Sequence, residues 1–220
     1  MPEAQKRNAR KTKPMRPADV YSALRSRILT LEYRPGTRLV EDTISSNLNA
    51  GRTPVREALL RLHGEGLVSR DNGWVIRDIG PEGIPALFEC RIAIEGYATR
   101  LAALRASEQD TAELQSLVER MDEFASIPRI ALNRLNRAFH EKIVEIAGNP
   151  MFVEMHSRTM FHYWNMRSPV QFSHEQTSKA NEQHRQILAA IRQKQPEVAE
   201  ALARAHVETT YTVVRDVIGL

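Results

Sequence analysis

Apolar residues recur along most of this chain every three or four positions, the spacing of one buried face of an α-helix. In the first eighty residues this spacing predicts three helices, at 17–31, 40–48 and 52–65. Two short β-like runs, 67–70 and 74–77, flank Asp71-Asn72-Gly73, which is typical of a hairpin turn. The order of helix, helix, tight turn, helix and hairpin predicts a winged helix-turn-helix over residues 17–79.

The helical spacing continues through the remaining residues with few β-branched runs. It predicts six further helices, at 81–105, 108–125, 128–147, 149–168, 174–193 and 196–217. Helices of about this length typically assemble into an antiparallel bundle. We therefore expect a mainly α protein, with an antiparallel six-helix bundle at 80–220 after the winged domain and its small β-hairpin. No apolar run approaches the roughly 20 residues that span a bilayer, so no membrane partner is expected.

Charge is unevenly distributed between these two parts. Residues 1–80 contain 15 Lys and Arg against 9 Asp and Glu, whereas residues 81–220 contain 16 against 18. The basic excess indicates a polyanionic partner for the first part only. Residues 1–16 read as a disordered basic arm, which either strengthens phosphate binding or is simply a solvated tail.

The N-terminus and the cysteine content indicate the cellular compartment of the protein. The basic N-terminus has no apolar segment behind it, so it does not resemble a secretory signal. The single cysteine, Cys90, excludes an intramolecular disulfide and favours a reducing compartment. We expect a cytoplasmic protein in which Cys90 is a small buried apolar residue.

The third predicted helix separates into two faces. Val55, Ala58 and Leu59 share an apolar stripe, and the neighbouring arc carries Arg52, Thr53 and Arg56. A charged helix face is often only solvated, but this shape also suits a helix that lies in a DNA major groove.

Several motifs around that helix occur in a specific order. They are Arg34-Pro-Gly-x-x-Leu39, Arg52-Thr-Pro-Val-Arg-Glu-Ala-Leu59 and Leu62-x-x-Glu-Gly-Leu-Val68. Together they resemble the DNA-binding domain of GntR-family transcriptional regulators. The chain departs from the family at Gly51, where Ser is usual, and at Ile44-Ser45, where Leu-Ala is usual.

That resemblance implies roles for five residues. Major-groove contacts to bases or phosphates fall to Arg52, Thr53 and Arg56. At the wing tip, Asn72 and Gly73 would approach the minor groove. An arginine that grips guanine through two hydrogen bonds would contribute sequence discrimination.

In the helical part, three predicted helices each place one histidine within an apolar stripe. These residues are His140, His184 and His206, and Asn136 lies one turn before His140. A single such histidine is most often a satisfied core residue. Three imidazoles, however, are a natural ligand set for a first-row divalent metal ion, often Zn²⁺.

The surrounding motifs are Asn136-x-x-Phe-His140, Glu182-x-His184-x-x-Ile-Leu and Ala203-x-x-His206. They resemble the FCD ligand-binding domain of the FadR branch of the GntR family, in its shorter VanR-like form. The resemblance implies that Asn136 and the three histidines hold a divalent metal ion, with Zn expected and Ni or Mn as alternatives. It also implies that a small organic acid or similar metabolite completes the site.

Asp is commoner than Asn at position 136 in that family. A neutral amide leaves the ion's charge uncompensated, so the site should bind metal more weakly and favour an anionic effector such as a carboxylate. For effector binding we select Arg91, Tyr163 and Arg167. Arg91 either anchors an effector carboxylate or forms a structural ion pair with Glu95, one turn away.

Together these features predict a sequence-specific transcriptional regulator, expected to be a repressor, with domains at 1–16, 17–79 and 80–220. A homodimer on a pseudo-palindromic double-stranded operator is expected, because paired half-sites need two recognition helices. No catalytic residues are assigned. Two alternatives stay open, a metal-dependent hydrolase or lyase that uses the three histidines and a nonspecific nucleic-acid-binding scaffold.

Overall fold

A computed structural model of the chain describes residues 15–29, 32–164 and 171–219. The chain divides into two compact units, Met1–Asp78 and Ile79–Leu220. Of the basic arm expected at residues 1–16, only the last two residues fall within the described part.

The described residues of the first unit form three helices. They are α1 (Pro17–Leu29), α2 (Glu41–Leu48) and α3 (Arg52–Gly64). α1 buries Val20, Leu24 and Ile28, and α3 buries an apolar stripe that includes Val55 and Leu59. α1 and α3 contact each other. Their buried residues are those that recur at helical spacing, as the sequence predicted. Residues 30–31, which we assigned to the end of the first helix, lie outside the described residues.

A small antiparallel sheet completes this unit. Its strands are β1 (Arg38–Leu39), β2 (Val68–Arg70) and β3 (Trp74–Ile76), in the order β1-β3-β2. Leu39 lies opposite Trp74, and Ser69 lies opposite Val75. The predicted hairpin is confirmed as β2 and β3. β1 was not predicted, because its two residues are too few to show the alternation of a strand.

In the second unit, the part of the chain that the structure describes contains six α-helices, as predicted. They are α4 (Ile84–Arg105), α5 (Glu108–Asp122), α6 (Arg129–Ile146), α7 (Pro150–Trp164), α8 (His174–Arg192) and α9 (Pro196–Ile218). Ser107 and Ser173 begin α5 and α8, because each side chain accepts a hydrogen bond from the backbone N–H three residues later. α4 begins three residues later than predicted, because Pro81–Gly83 forms a 3₁₀ turn.

α4 contacts α6, α7, α8 and α9, and so lies at the centre of the second unit. One apolar cluster joins its end to α5, α6, α8 and α9, and a second joins its start to α7 and α9. Cys90 is exposed, so the prediction of a buried thiol was wrong. α4 buries Leu87, Phe88 and Arg91, and Cys90 falls on the opposite arc. Among the helices that the structure describes, none is long and apolar enough to cross a bilayer.

Candidate DNA-reading surface and metal centre

α3 presents its polar arc to solvent. Arg52, Thr53 and Arg56 are exposed, whereas Val55 on the opposite face is fully buried. Gly51 precedes the helix in an extended conformation, and Asn49 ends α2 in the left-handed region at φ 46°. This tight turn sets the start of α3 directly after α2, the connection found in helix-turn-helix domains.

Both arginines of this arc are paired with carboxylates from the start of α2. Arg52 Nε lies 2.8 Å from Asp42 Oδ1, and Arg56 Nη2 lies 3.0 Å from Glu41 Oε2. The hydrogen bonds that Arg56 and Trp74 donate to Glu41 lower the pKa of its carboxyl. Glu41 therefore links α3 to β3, because Trp74 Nε1 donates to it at 3.0 Å. Neither acidic residue was singled out from the sequence, since their pairing depends on how two helices meet.

The predicted wing tip is a tight turn between β2 and β3. Asn72 and Gly73 both adopt positive φ, at 46° and 132°, and both are exposed. Arg38 supports the turn from β1, because its Nη1 donates to the carbonyl oxygen of Asp71 at 2.8 Å. All five residues selected for DNA contact are thus exposed on the first unit.

In the second unit, the three selected histidines come together from three helices. One ring nitrogen each of His140 (α6), His184 (α8) and His206 (α9) lies within 4.8 Å of the others. Nε2 of His184 is 3.2 Å from Nε2 of His206, and the rings of His140 and His206 stack with centroids 5.1 Å apart. All three side chains are buried. The sequence spacing placed these residues on inward faces, and the packing of α6, α8 and α9 brings them to one point.

Acceptor groups orient two of the three rings. Nδ1 of His140 lies 3.1 Å from Oε2 of Glu95, and Nδ1 of His206 lies 3.0 Å from Oε1 of Gln183. These oxygens can only accept, which favours the tautomers with the hydrogen on Nδ1 and the Nε2 lone pair towards the cluster. Nε2 of His140 and Nδ1 of His184 are buried and have no hydrogen-bond partner among the described residues.

Burial keeps the imidazoles of His206 and His184 neutral. It lowers the pKa of His206 to about 3, and the nearby charge of His140 adds to the effect. Burial also lowers the pKa of His184 well below its ordinary value, with further contributions from His206 and His140. Neutral imidazole is the form that binds a metal ion, so neither ring has to lose a proton first.

A fourth buried histidine, His156 on α7, lies behind the cluster. Its Nε2 is 4.0 Å from Oε1 of Glu95, and burial lowers its pKa to about 4. For Glu95 itself burial alone would raise the pKa. The positive charge of Arg91 and the interaction with His140 outweigh that effect, and they hold the pKa well below its usual range.

The three histidines line a cavity of about 70 Å³ inside the second unit. Asn136, Arg91 and Tyr163 line the same cavity, so the structure brings these selected residues together. Asn136 is half-buried, one turn before His140. Arg167 lies outside the described residues. Other lining residues are Arg129, Leu132, Asn133, Trp164, Phe172, Thr177, Ala180, Asn181 and Thr210.

Arg91 and Glu95 form the ion pair that was one of the two expectations for Arg91. Arg91 Nε donates to Glu95 Oε1 at 2.8 Å, with both side chains almost fully buried. The guanidinium also lies over the Tyr163 ring, 4.2 Å from its centroid. Nη1 of Arg91 and Nε1 of Trp164 are buried without a hydrogen-bond partner in the described part of the chain. The pairing therefore leaves a donor of Arg91 for a ligand in the cavity, and the two expectations are compatible.

This donor set fits a divalent metal ion. A Zn–N bond is about 2.0–2.1 Å long, so two nitrogen ligands of one ion lie roughly 3–3.5 Å apart. The 3.2 Å separation of the His184 and His206 nitrogens falls in this range. A metal ion would also give a partner to the buried lone pair of His140. Such an ion would supply a Lewis-acidic centre that can bind an anionic ligand.

Two known families match the two units of the chain. The family described as bacterial regulatory proteins, gntR family, matches residues 17–75, and the FCD domain matches residues 86–209. The second match alone covers more than half of the chain. The chain is a GntR-family regulator with an FCD domain. It is therefore a DNA-binding transcriptional regulator with an effector domain and not an enzyme, which removes the hydrolase or lyase alternative.

Curated relatives of this GntR-family regulator are also regulators. The Nta operon transcriptional regulator of Aminobacter aminovorans is 27% identical over 196 residues, which cover 86% of this chain and 90% of that protein. The HTH-type transcriptional repressor NanR of Salmonella newport is 27% identical over 201 residues, covering 81% and 77%. Both alignments span the two units.

Solved structures agree on the fold. E. coli McbR/YncC superimposes with a TM-score of 0.71 at 22% identity, covering 91% of this chain and 97% of that chain. The Listeria monocytogenes regulator Lar gives a TM-score of 0.60 at 21% identity, covering 93% and 99%. At such identities the likeness concerns the fold alone.

Sequence reasoning missed Gln183 and the role of Glu95. Gln183 precedes His184 outside its apolar stripe, and it reaches His206 only through the register of α8 against α9. Glu95 was noted only as a possible partner of Arg91 on the same helix. A buried acid on an apolar stripe could have marked it, since carboxylates are rarely buried unless paired.

Proposed function

We propose that this chain is a repressor that binds a pseudo-palindromic operator as a homodimer and releases it in response to a small metabolite. The metabolite binds at a divalent metal ion, expected to be Zn²⁺, held by Asn136, His140, His184 and His206. The observation that carries this proposal is the cluster of three buried imidazoles that lines a cavity. A cytoplasmic location suits a protein that binds DNA.

The effector is expected to be a small anion, such as a carboxylate. The cavity of about 70 Å³ holds only a few water-sized groups, which limits the effector's size. A metal ion and the unpartnered Nη1 of Arg91 both favour negative charge. Tyr163 lies beneath the Arg91 guanidinium and would pack against the bound molecule. Arg167 stays a candidate from the sequence alone.

Regulation requires that the effector bind the DNA-competent and the DNA-free arrangements with different affinity. A thermal-shift screen of small carboxylates with and without chelator tests the metal and the effector together. We expect at least one acid to raise the melting temperature of the metal-loaded protein only, and to weaken its DNA binding. His184→Ala should remove both the bound metal and this response. A wild-type protein without metal, with His184→Ala responding like wild type, would contradict the proposal.

For DNA we propose contacts from Arg52, Thr53 and Arg56 in the major groove and from Asn72 and Gly73 at the wing. Arg56→Ala should weaken binding to an operator selected from random DNA by about 1–3 kcal/mol, because one bidentate base contact contributes that much. Fluorescence anisotropy at fixed salt measures the effect. Arg137→Ala, which removes an arginine of α6, is the matched control. Equal affinity of Arg56→Ala and wild type for the operator would remove Arg56 from the interface.

A further inference from the structure

Glu95 occupies the junction between the imidazole cluster and Arg91. Its Oε1 accepts a hydrogen bond from Arg91 Nε at 2.8 Å, and its Oε2 lies 3.1 Å from Nδ1 of His140. The side chain is only 3% exposed. Among the described residues it is the one buried carboxylate. One carboxylate therefore contacts both a candidate metal ligand and a candidate effector-binding cation.

The contact between Glu95 and Nδ1 of His140 favours the arrangement in which His140 presents Nε2 to the imidazole cluster. A carboxylate accepts from Nδ1–H, so the Nε2 lone pair is left facing the cluster. Gln183 has the same effect on His206, through an amide oxygen at 3.0 Å. Of these two orienting groups, only Glu95 brings a negative charge.

That charge matters because the candidate ligand set contains no acidic group. Imidazole rings and the Asn136 amide bring no negative charge, and Arg91 adds a positive charge to the same cavity. An acidic group that accepts from a ligand's N–H raises the basicity of that ligand and partly compensates the ion. The neutrality of Asn136 is therefore offset one hydrogen bond away, through His140.

We infer that Glu95 is a positioning residue of the metal centre, which orients His140 and supplies negative charge that the ligands themselves lack. Through its other oxygen, Glu95 holds Arg91 at the edge of the same cavity. This inference rests on the proposed metal site. The opposing view is that Glu95 serves only as the ion-pair partner of Arg91.

Zn²⁺ affinity, measured by competition with a chelating dye at pH 7.5, separates these views. Glu95→Gln keeps the shape but removes the charge, and should weaken Zn²⁺ binding about 10–100-fold, the usual effect of losing such a partner. Glu89→Gln, on an exposed position of the same helix, is the matched control and should bind like wild type.

Rescue provides a readout that a structural ion pair would not give. Adding Asn136→Asp to Glu95→Gln returns a carboxylate to the site and should restore most of the lost affinity. If Glu95→Gln does not fold because Arg91 is left unpaired, Arg91→Gln/Glu95→Gln removes both charges together. This double variant should still bind Zn²⁺ about 10–100-fold more weakly than wild type.

The outcomes are distinguishable. A wild-type protein that does not bind Zn²⁺ would overturn the proposed metal site and this inference with it. A wild type that binds Zn²⁺, with folded Glu95→Gln or the double variant binding within twofold of it, would overturn the inference alone. Failure of Asn136→Asp to restore affinity would overturn the role of charge.

Discussion

The two units of this regulator use similar ion pairs in opposite surroundings. On the candidate DNA-reading surface, Arg52 and Asp42 lie 2.8 Å apart with side chains 75% and 65% exposed. In the effector unit, Arg91 and Glu95 are also 2.8 Å apart but only 2% and 3% exposed. The distance is the same, so solvent decides what each pair can do. Water competes with the partners of an exposed pair, so a DNA phosphate can take the place of the carboxylate beside the arginine. A buried pair stays fixed and orients the side chains around it.

The largest expected effect comes from breaking the buried pair. Arg91→Ala leaves Glu95 buried without its closest cation, which should lower the free energy of unfolding by about 3–5 kcal/mol. Arg137→Ala is the matched control, because Arg137 pairs with Glu141 at 2.7 Å on the surface of α6. That change should cost at most about 1 kcal/mol. Urea unfolding followed by circular dichroism compares them, and equal losses would contradict the distinction between the pairs.

Lowering the pH should destabilise the effector unit, and each buried histidine should contribute a smaller loss than Arg91→Ala. The folded protein holds the pKa of His206 at about 3 and that of His156 at about 4, whereas an unfolded histidine titrates near 6.5. The unfolded chain therefore binds more protons below pH 6.5, and stability falls as the pH falls from there towards those folded values. At pH 5 the loss should be roughly 2 kcal/mol for each of the two residues.

Thermal melts of the chelator-treated protein between pH 7.5 and 5 test this expectation. His206→Gln should reduce the pH dependence, because it removes one of the buried histidines with a lowered pKa. His174→Gln, at an exposed position, should leave the dependence unchanged. A pH dependence in His206→Gln as steep as in wild type would show that His206 is not held neutral.

The smallest effect is expected on the DNA-reading surface. Asp42→Asn removes the partner of Arg52, and should change the free energy of unfolding by less than about 1 kcal/mol. Loss of an acidic group beside the DNA should slightly strengthen binding to any duplex. Urea unfolding and anisotropy at two salt concentrations measure the two effects. A stability loss above 2 kcal/mol would show that the exposed pair is structural.

The same comparison explains what the sequence could predict. Apolar periodicity located α3 with its exposed arginines, and it placed His140, His184 and His206 on inward faces. Periodicity reports which face of a helix is buried, but it does not report which residue of another helix meets that face. The pairs of Arg56 with Glu41 and of His140 with Glu95 depend on such meetings, so they required the structure.

Two further features, the strand β1 and the exposure of Cys90, were not predicted for local reasons. β1 has two residues, which is too short for a pattern, and it joins the sheet only through pairing with β3. Cys90 was predicted to be buried because cysteine is usually a buried residue type, whereas on this turn of α4 the buried positions are those of Leu87, Phe88 and Arg91.

The exposed position of Cys90 has a practical consequence. It is the single thiol in the sequence, and it is adjacent in the chain to Arg91. A maleimide fluorophore would therefore attach at one place on α4 without any prior mutagenesis. The unmodified sequence already carries a unique attachment point for an optical reporter on the helix that contributes Arg91 to the cavity.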